Sequence, residues 1–256
     1  MTKDNFPKYD YLEDAWIVRQ HIQEPDYSFL SRVFDINEIS IIDKIFKPHK
    51  DTLLHRLVRV INEAGLRAIA DTGIDNLIEY LQFYLDQPIS HSKLHTTVVE
   101  WYKIRSNYDR AQKFNEQDML LNKLPISKYT QQIFYILFLD KNILQMFQLV
   151  LIPIIESLDA NLFPQDINPN GKLKRLPYLP IWLKKGIFSR DQGHCVYCNK
   201  SLVGITTIET AHYDHIIPLA EYGSNDPTNF QLLCGKCNLS KGKKFYPPSI
   251  ERISFW

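Results

Sequence analysis

The sequence predicts a mainly α-helical protein, with an all-α portion over residues 1–170 followed by a small ββα unit over residues 171–256. Up to about Leu158, apolar residues recur every three or four positions, which is typical of helices that bury one face. The C-terminal part instead holds all four cysteines and a β-prone segment. A cluster of Pro, Asn and Gly over residues 162–180 breaks helices and marks the boundary between the two portions.

Length and composition exclude several classes of protein. The chain has 256 residues, of which 45% are hydrophobic and 23% charged, and its formal net charge is +1. A disordered chain would combine low hydrophobicity with high net charge, so we expect a folded protein of one or two domains. The longest apolar run, residues 133–139, is far shorter than the roughly 20 residues that span a bilayer, and no membrane segment is expected.

The N-terminal segment, MTKDNFPKYDYLEDAW, carries charges and a proline where a signal peptide would need an apolar stretch. A reducing cytoplasm is therefore the expected compartment. Cysteines kept reduced there are available to a metal rather than to disulfides.

Helices are predicted in order along the first portion. Apolar stripes at helical spacing mark two of them, and further helices are expected around residues 98–104, over 131–139 and over 143–152. The last should end near Pro153, because proline removes a helix hydrogen bond. At a typical length of about 11 to 12 residues, six to eight helices fit. The stripes are Leu53, Leu54, Leu57, Val58 and Ile61, then Ile74, Leu77, Ile78, Leu81 and Leu85.

The near-neutral net charge is a cancellation between the two portions. Residues 171–256 carry 12 Lys and Arg against 6 Asp and Glu, whereas residues 1–170 carry 18 against 23. A basic C-terminal portion indicates an anionic partner there, although excess charge is often only a solvated surface.

The cysteines form two CxxC pairs, Cys195 with Cys198 and Cys234 with Cys237. This spacing lets both thiolates of a pair converge on one ion, and two pairs complete a tetrahedral Zn²⁺ site. A redox dithiol would need only one pair, usually in a βαβ context. A site closed by four cysteines leaves no open coordination position, so the predicted zinc is structural.

A ββα unit is predicted between the cysteine pairs and just beyond them. Residues 208–217 are β-prone, a polar loop follows, and a short helix should run from Cys234 through Lys241. Asp214 beside His215 offers an oxygen ligand for a hard cation together with a base. Because neighbouring strand residues point to opposite faces, these two side chains can share a site only where the strand ends or bends.

The whole string resembles the HNH endonuclease family, whose pattern is a zinc CxxC, then DHIIPL, then NxQxLCxxCNxxKG. Here CVYC stands at residues 195–198, DHIIPL at 214–219 and NFQLLCGKCNLSKG at 229–242. The likeness covers about residues 188–244, less than a quarter of the chain. It implies a zinc-stabilised ββα-metal fold.

The resemblance also implies residue roles. His215 would take a proton from the attacking water, and Asp214 and Asn238 would hold Mg²⁺ or Mn²⁺ at the scissile phosphate. Asn229 would hydrogen-bond across the loop and fix the direction of the His215 imidazole.

Three further residues are candidates for contacts near that centre. Lys241 and Lys243 are candidate phosphate contacts, the alternative being a solvated helix end. His212 shares a strand face with Asp214 and is a candidate for contact with the metal or the nucleic acid, the alternative being a structural role.

The resemblance implies a nuclease acting on DNA, and nothing in the sequence excludes RNA. Two alternatives stay open: a zinc-stabilised nucleic-acid-binding module without catalysis, and an adaptor whose helical portion binds a regulatory partner such as an ATPase. The settings the resemblance suggests include bacterial anti-phage defence, restriction and mobile elements. Double-strand cleavage would need two sites, hence a homodimer or sequential cuts.

Overall fold

A computed structural model of the chain describes residues 11–84, 95–100, 103 and 128–242. The chain forms two compact units, each discontinuous in sequence: Met1–Val18 with His55–Ile136, and Arg19–Leu54 with Leu137–Trp256. This division differs from the predicted boundary near residue 170. Residues 19–54 and 137–170 share a unit with the cysteine-containing segment because a loop of that segment bonds directly to them.

The protein is mainly helical, as predicted, and ends in a two-stranded sheet with a short helix. Residues 95–100 are helical as well. The elements are α1 Tyr11–Gln23, α2 Tyr27–Val33, α3 Ile39–Phe46, α4 Leu53–Ala70, α5 Ile74–Tyr84, α6 Lys128–Leu139, α7 Lys141–Glu156, α8 Ile181–Arg190, β1 His212–His215, β2 Phe230–Leu233 and α9 Gly235–Lys241.

Helices α4 and α5 confirm the two apolar stripes read from the sequence. Leu57 and Val58 of α4, and Leu77 and Leu81 of α5, are fully buried. Burial of such a stripe, more than intrinsic propensity, is what makes helices of this length stable. Leu85, at the end of the second stripe, lies outside the described residues, as do Tyr102 and Ile104.

Helix α7 runs one turn beyond its predicted end. Asp140 caps its N-terminus by accepting hydrogen bonds from the backbone N–H groups of Asn142 and Ile143. The expected stop at Pro153 was wrong, since the helix continues to Glu156 with the proline inside it. Ile155 is buried beyond the proline, and this apolar contact offsets the one helix hydrogen bond that proline removes.

Strands β1 and β2 pair antiparallel, with register from His212 opposite Leu233 to His215 opposite Phe230. Strand β1 is shorter than the predicted segment 208–217, because residues 207–210 form a turn in which the Thr210 N–H bonds to the Thr207 carbonyl. Helix α8, which the sequence did not predict, packs on β2. The apolar core below the sheet contains Leu183, Ile187, Leu202, Phe230, Leu232 and Leu233.

Across the described ranges, no single helix has the length and hydropathy needed to cross a bilayer. Helices α6 and α7 reach that length and composition only when they are counted together, and the chain bends sharply between them.

Candidate active site and zinc site

The four cysteine sulfurs meet at one point. The Sγ atoms of Cys195, Cys198, Cys234 and Cys237 all lie within 4.8 Å of one another, and those of Cys198 and Cys234 are 3.7 Å apart. Four sulfurs about 2.3 Å from a tetrahedral Zn²⁺ would be separated by roughly 3.8 Å. Donor type, number and spacing therefore fit a structural zinc ion.

Hydrogen bonds prepare one of these sulfurs to bind as a thiolate and tie the cysteine pairs to the sheet. Burial raises the pKa of Cys234, but the Cys237 N–H and the neighbouring cysteines outweigh it and lower the pKa to about 7. The Val196 N–H donates to the Leu232 carbonyl at 2.9 Å. Because β2 ends beside Cys234, the zinc knuckle fixes the strand that carries the register of β1.

Helix α9 packs on strand β1 and brings two pairs of side chains together. His212 and Asp214 lie two residues apart on the strand, and Asn238 and Lys241 lie three apart on the helix, so each pair shares one face. Asn238 Nδ2 lies 3.5 Å from His212 Nδ1. Asp214 meets Lys241 on the same side.

Lys241 is buried in the structure and does not lie at the surface, where the sequence suggested that it would contact a phosphate. It is only 2% exposed, its Nζ lies 2.7 Å from Asp214 Oδ2, and it donates to the His215 carbonyl at 2.9 Å. The helix spacing that puts Lys241 on the face of Asn238 also turns it toward the strand instead of solvent. Lys243 lies outside the described residues.

His215 is the last residue of β1 and is almost fully buried. Its Nε2 lies 3.0 Å from Asn225 Oδ1, and its ring packs on Phe230 with centroids 4.4 Å apart. Burial lowers the pKa of His215 to about 4, since the bond to Asn225 and the charge of Asp214 only partly oppose it. Two cations, Arg175 and Lys241, lower the pKa further. The imidazole is therefore neutral at pH 7.

The Asn229 amide bridges the chain just after His215. Its Oδ1 accepts from the Ile217 N–H at 2.8 Å, while its Nδ2 donates to the carbonyls of Ile217 at 3.0 Å and Ser224 at 2.8 Å. The Ile216 N–H also donates to the Asn229 carbonyl. The polypeptide that leaves His215 is thus fixed by one buried side chain and its backbone.

Residues 195–244 match the family described as HNH endonuclease, which is about a fifth of the chain. The C-terminal region carries an HNH endonuclease domain. No curated protein sequence and no solved structure matches the chain.

The HNH domain is bonded to the preceding helices through residues 224–228, which we call the docking loop. The Asn225 N–H donates to the Ile45 carbonyl at 2.9 Å, and Asp226 Oδ2 accepts from the Leu53 N–H at the start of α4. Gln148 of α7 accepts from Ser224 and donates to Thr228. These buried bonds make residues 19–54 and 137–158 part of the HNH unit.

Close packing of the HNH loop requires a glycine at position 223. A Cβ atom there would lie 1.9 Å from the Ile217 carbonyl oxygen and 2.9 Å from Asn229 Nδ2. Both distances are far below van der Waals contact, so any side chain would push apart the segments that Asn229 joins.

An ion pair before the first cysteine supports strand β2 of the HNH domain. Arg190 donates to Asp191 and to the Phe230 carbonyl, and Asp191 accepts from the Leu232 N–H at 2.9 Å. Burial raises the pKa of Asp191, but the charge and hydrogen bonds of Arg190 and the charge of Lys141 hold it below its usual value. Both residues lie within the segment 188–244 that resembles the HNH family, but the resemblance gave them no role.

Two other residues near His215 were missed. Asn225 gave no signal beyond a polar loop, and Arg175 lay in the connection between the predicted portions. Arg175 is exposed, and its charge acts on His215. Neither follows from local spacing, because His215 meets both only after the chain folds.

Proposed function

We propose that the HNH domain hydrolyses phosphodiester bonds of nucleic acid, with DNA as the main substrate. The HNH family assignment indicates a nuclease. The observation that carries the proposal is that a neutral, buried His215 stands beside Asp214, while α9 brings Asn238 to the same strand. A module that only bound nucleic acid would have no need for this combination.

The donor set suits a divalent cation of the Mg²⁺ or Mn²⁺ type. Asp214 and Asn238 offer oxygen atoms and His212 an imidazole nitrogen, from the facing strand and helix. Lys241 Nζ lies 2.7 Å from Asp214 Oδ2, and this ion pair supports a role for the carboxylate in balancing positive charge in a buried setting. A cation held there would supply Lewis-acid neutralisation of charge on the phosphate.

His215 takes the proton of the attacking water in this proposal. Because its pKa of about 4 leaves it unprotonated at neutral pH, it can act as a general base. Its backbone is held from two sides: Lys241 bonds to the His215 carbonyl, and Asn229 bonds to Ile217. Such support keeps the imidazole in one orientation, as positional catalysis requires.

Exposed cations rather than Lys241 would meet the phosphates. Arg175 lies near His215, and Lys200 and Lys236 are exposed around the zinc knuckle. Contacts of this kind bind nucleic acid without reading sequence, and their strength falls with added salt. We therefore propose substrate binding that is strongly salt-dependent.

Cleavage of supercoiled plasmid with Mg²⁺ or Mn²⁺ tests the proposal, with an RNA substrate assayed beside it. We expect the wild type to nick DNA and His215→Ala to lose about 10²-fold or more of the rate. His194→Ala is the matched control, because His194 is half-buried in the same domain and its Nδ1 lies 2.6 Å from the Gln192 carbonyl, away from Asp214 and Asn238. Equal cleavage by wild type and His215→Ala, or none by either with any divalent metal, would contradict catalysis. Binding without cleavage would instead support the binding-module alternative.

Linear plasmid appearing together with nicked plasmid would indicate paired cuts and hence a homodimer. We also propose that a regulatory protein partner, such as an ATPase of a defence or restriction system, acts on the helical part. The full chain should be used to seek it, because residues 19–54 and 137–170 belong to the HNH unit.

A further inference from the structure

We infer that Asn225 is a positioning residue for His215: it holds the imidazole proton on Nε2 and so leaves Nδ1 as the nitrogen that accepts the proton of water. This inference rests on the proposed nuclease function for its catalytic meaning. Its structural content, the tautomer of one buried histidine, can be tested without any activity.

Two backbone carbonyls fix the orientation of the Asn225 amide. One end of this amide lies 3.0 Å from the Phe46 carbonyl and 3.2 Å from the Lys174 carbonyl. Both carbonyl oxygens can only accept hydrogen bonds, so the group that faces them must be the NH₂ of Asn225. The amide oxygen, Oδ1, is therefore the end directed at His215.

The amide oxygen of Asn225 fixes the position of the proton on His215. Oδ1 of Asn225 can only accept, and it lies 3.0 Å from His215 Nε2. In a neutral imidazole one nitrogen donates and the other accepts, so Nε2 must carry the proton and Nδ1 the lone pair.

The second ring nitrogen, Nδ1, is the one left for water. Within the described ranges, the bond to Asn225 is the hydrogen bond that the imidazole makes. His215 is 6% exposed, so water would reach Nδ1 through a narrow opening. Once Nδ1 takes a proton, His215 becomes positively charged while Nε2 still donates to Asn225, and that bond becomes charge-assisted and stronger.

Asn225 is itself held in place by the end of α3. Asn225 is 2% exposed, and its backbone N–H donates to the Ile45 carbonyl at 2.9 Å. The end of α3 thus binds the residue through both its backbone and its side chain, by Ile45 and Phe46. A helix about 180 positions earlier in the chain thereby contributes to the direction of the base.

The tautomer is read from the ¹⁵N resonances of the histidine rings, with His215 assigned by its loss in His215→Ala. We expect wild-type His215 to show a protonated Nε2 and an unprotonated Nδ1. In Asn225→Ala the two tautomers should mix, and kcat for DNA cleavage should fall about 10²-fold with little change in KM. Asn225→Asp keeps an oxygen acceptor facing Nε2 but turns a second oxygen toward the Phe46 and Lys174 carbonyls. It should therefore keep the proton on Nε2 and retain more of kcat than the alanine variant, while lowering the free energy of unfolding.

Ser224→Ala is the matched control. Ser224 is equally buried, lies in the same docking loop and bonds to Gln148 instead of His215. It should weaken docking of the loop without altering the tautomer, and should change kcat far less than Asn225→Ala does.

The outcomes separate this inference from the proposed function. A proton on Nδ1 in the wild type, or an unchanged tautomer together with unchanged kcat in Asn225→Ala, would overturn the inference. Absence of cleavage by every protein would contradict the nuclease proposal, while the wild-type spectrum would still decide the tautomer. That spectrum also decides it if Asn225→Ala fails to fold.

Discussion

Asp214 and His215 are adjacent in the chain, yet different parts of the molecule support them. The partner of Asp214 is Lys241, 27 positions later, on the helix that completes the same ββα unit. The partner of His215 is Asn225, which in turn bonds to Phe46, a residue 179 positions away from it. The proposed metal ligand is therefore held locally, whereas the proposed base depends on contacts made across the chain.

This difference shows how a small HNH motif can be built into a larger protein. The local half of the site uses the motif's own helix and zinc knuckle. The other half relies on backbone carbonyls of α3, which nothing in the motif specifies. Variants that disturb one half and spare the other can test the distinction, and their effects should range from loss of the domain to almost no change in stability.

Loss of the zinc site should have the largest effect on stability, because both the local half and the other half of the candidate active site depend on it. Cys237→Ser removes one of four ligands from a site of a type that contributes about 10–16 kcal/mol of binding energy. We expect loss of zinc and unfolding of the HNH domain, measured by metal analysis and circular dichroism. Lys200→Ala, an exposed change in the same knuckle, should keep close to one zinc per chain. A wild-type protein that is folded with far less than one zinc would refute the site.

The local half is tested by Asp214→Asn. This change leaves Lys241 charged, 2% exposed and without its carboxylate, and removing one partner of a buried ion pair costs about 3–5 kcal/mol. Urea denaturation should show a loss of that size. The double variant Asp214→Asn with Lys241→Met should recover most of the stability while staying inactive. A double variant as unstable as the single one would mean that the ion pair is not the cause.

The loop beside the base is tested by Gly223→Ala. A methyl group 1.9 Å from the Ile217 carbonyl forces the backbone to move, and we expect a loss of about 3 kcal/mol in the free energy of unfolding. Gly186→Ala in α8 is the control, since a Cβ there meets nothing within 4 Å. It should be neutral or stabilise by up to about 1 kcal/mol. Equal effects of the two changes would show that the close approach does not matter.

Asn238→Ala should have the smallest effect on stability and still abolish activity. Asn238 is half-buried and its closest side-chain contact, to His212, is 3.5 Å long. We expect a change within about 0.5 kcal/mol in the free energy of unfolding, an unchanged zinc content and a large loss of cleavage. Leu239→Ala, at the next and highly exposed position, should stay active. Loss of zinc in Asn238→Ala would show that structural and catalytic roles have been confused.

The sequence predicted what local spacing determines. The CxxC pairs predict the cysteine cluster, the apolar stripes predict α4 and α5, and the short helix expected through Lys241 is found as α9. The sequence does not show that Ile155, after the helix-breaking Pro153, is buried, so the end of α7 at Glu156 was missed. The burial of Lys241 was missed because a lysine at a helix end is usually solvated. The docking loop was missed because its partners, such as Ile45 and Gln148, are distant in sequence.

The docking loop also sets an order of assembly during synthesis. Ile45 and Leu53 leave the ribosome long before Asn225 and Asp226, which bond to them from positions 173 or more residues later. Chains begin to fold from the N-terminus as they are made, so α3 and α4 can form while the residues that will bind them are still untranslated. An incomplete chain would therefore have its helices but no oriented His215. Under the proposed function, the nuclease would become active only after the docking loop and α9 have been synthesised.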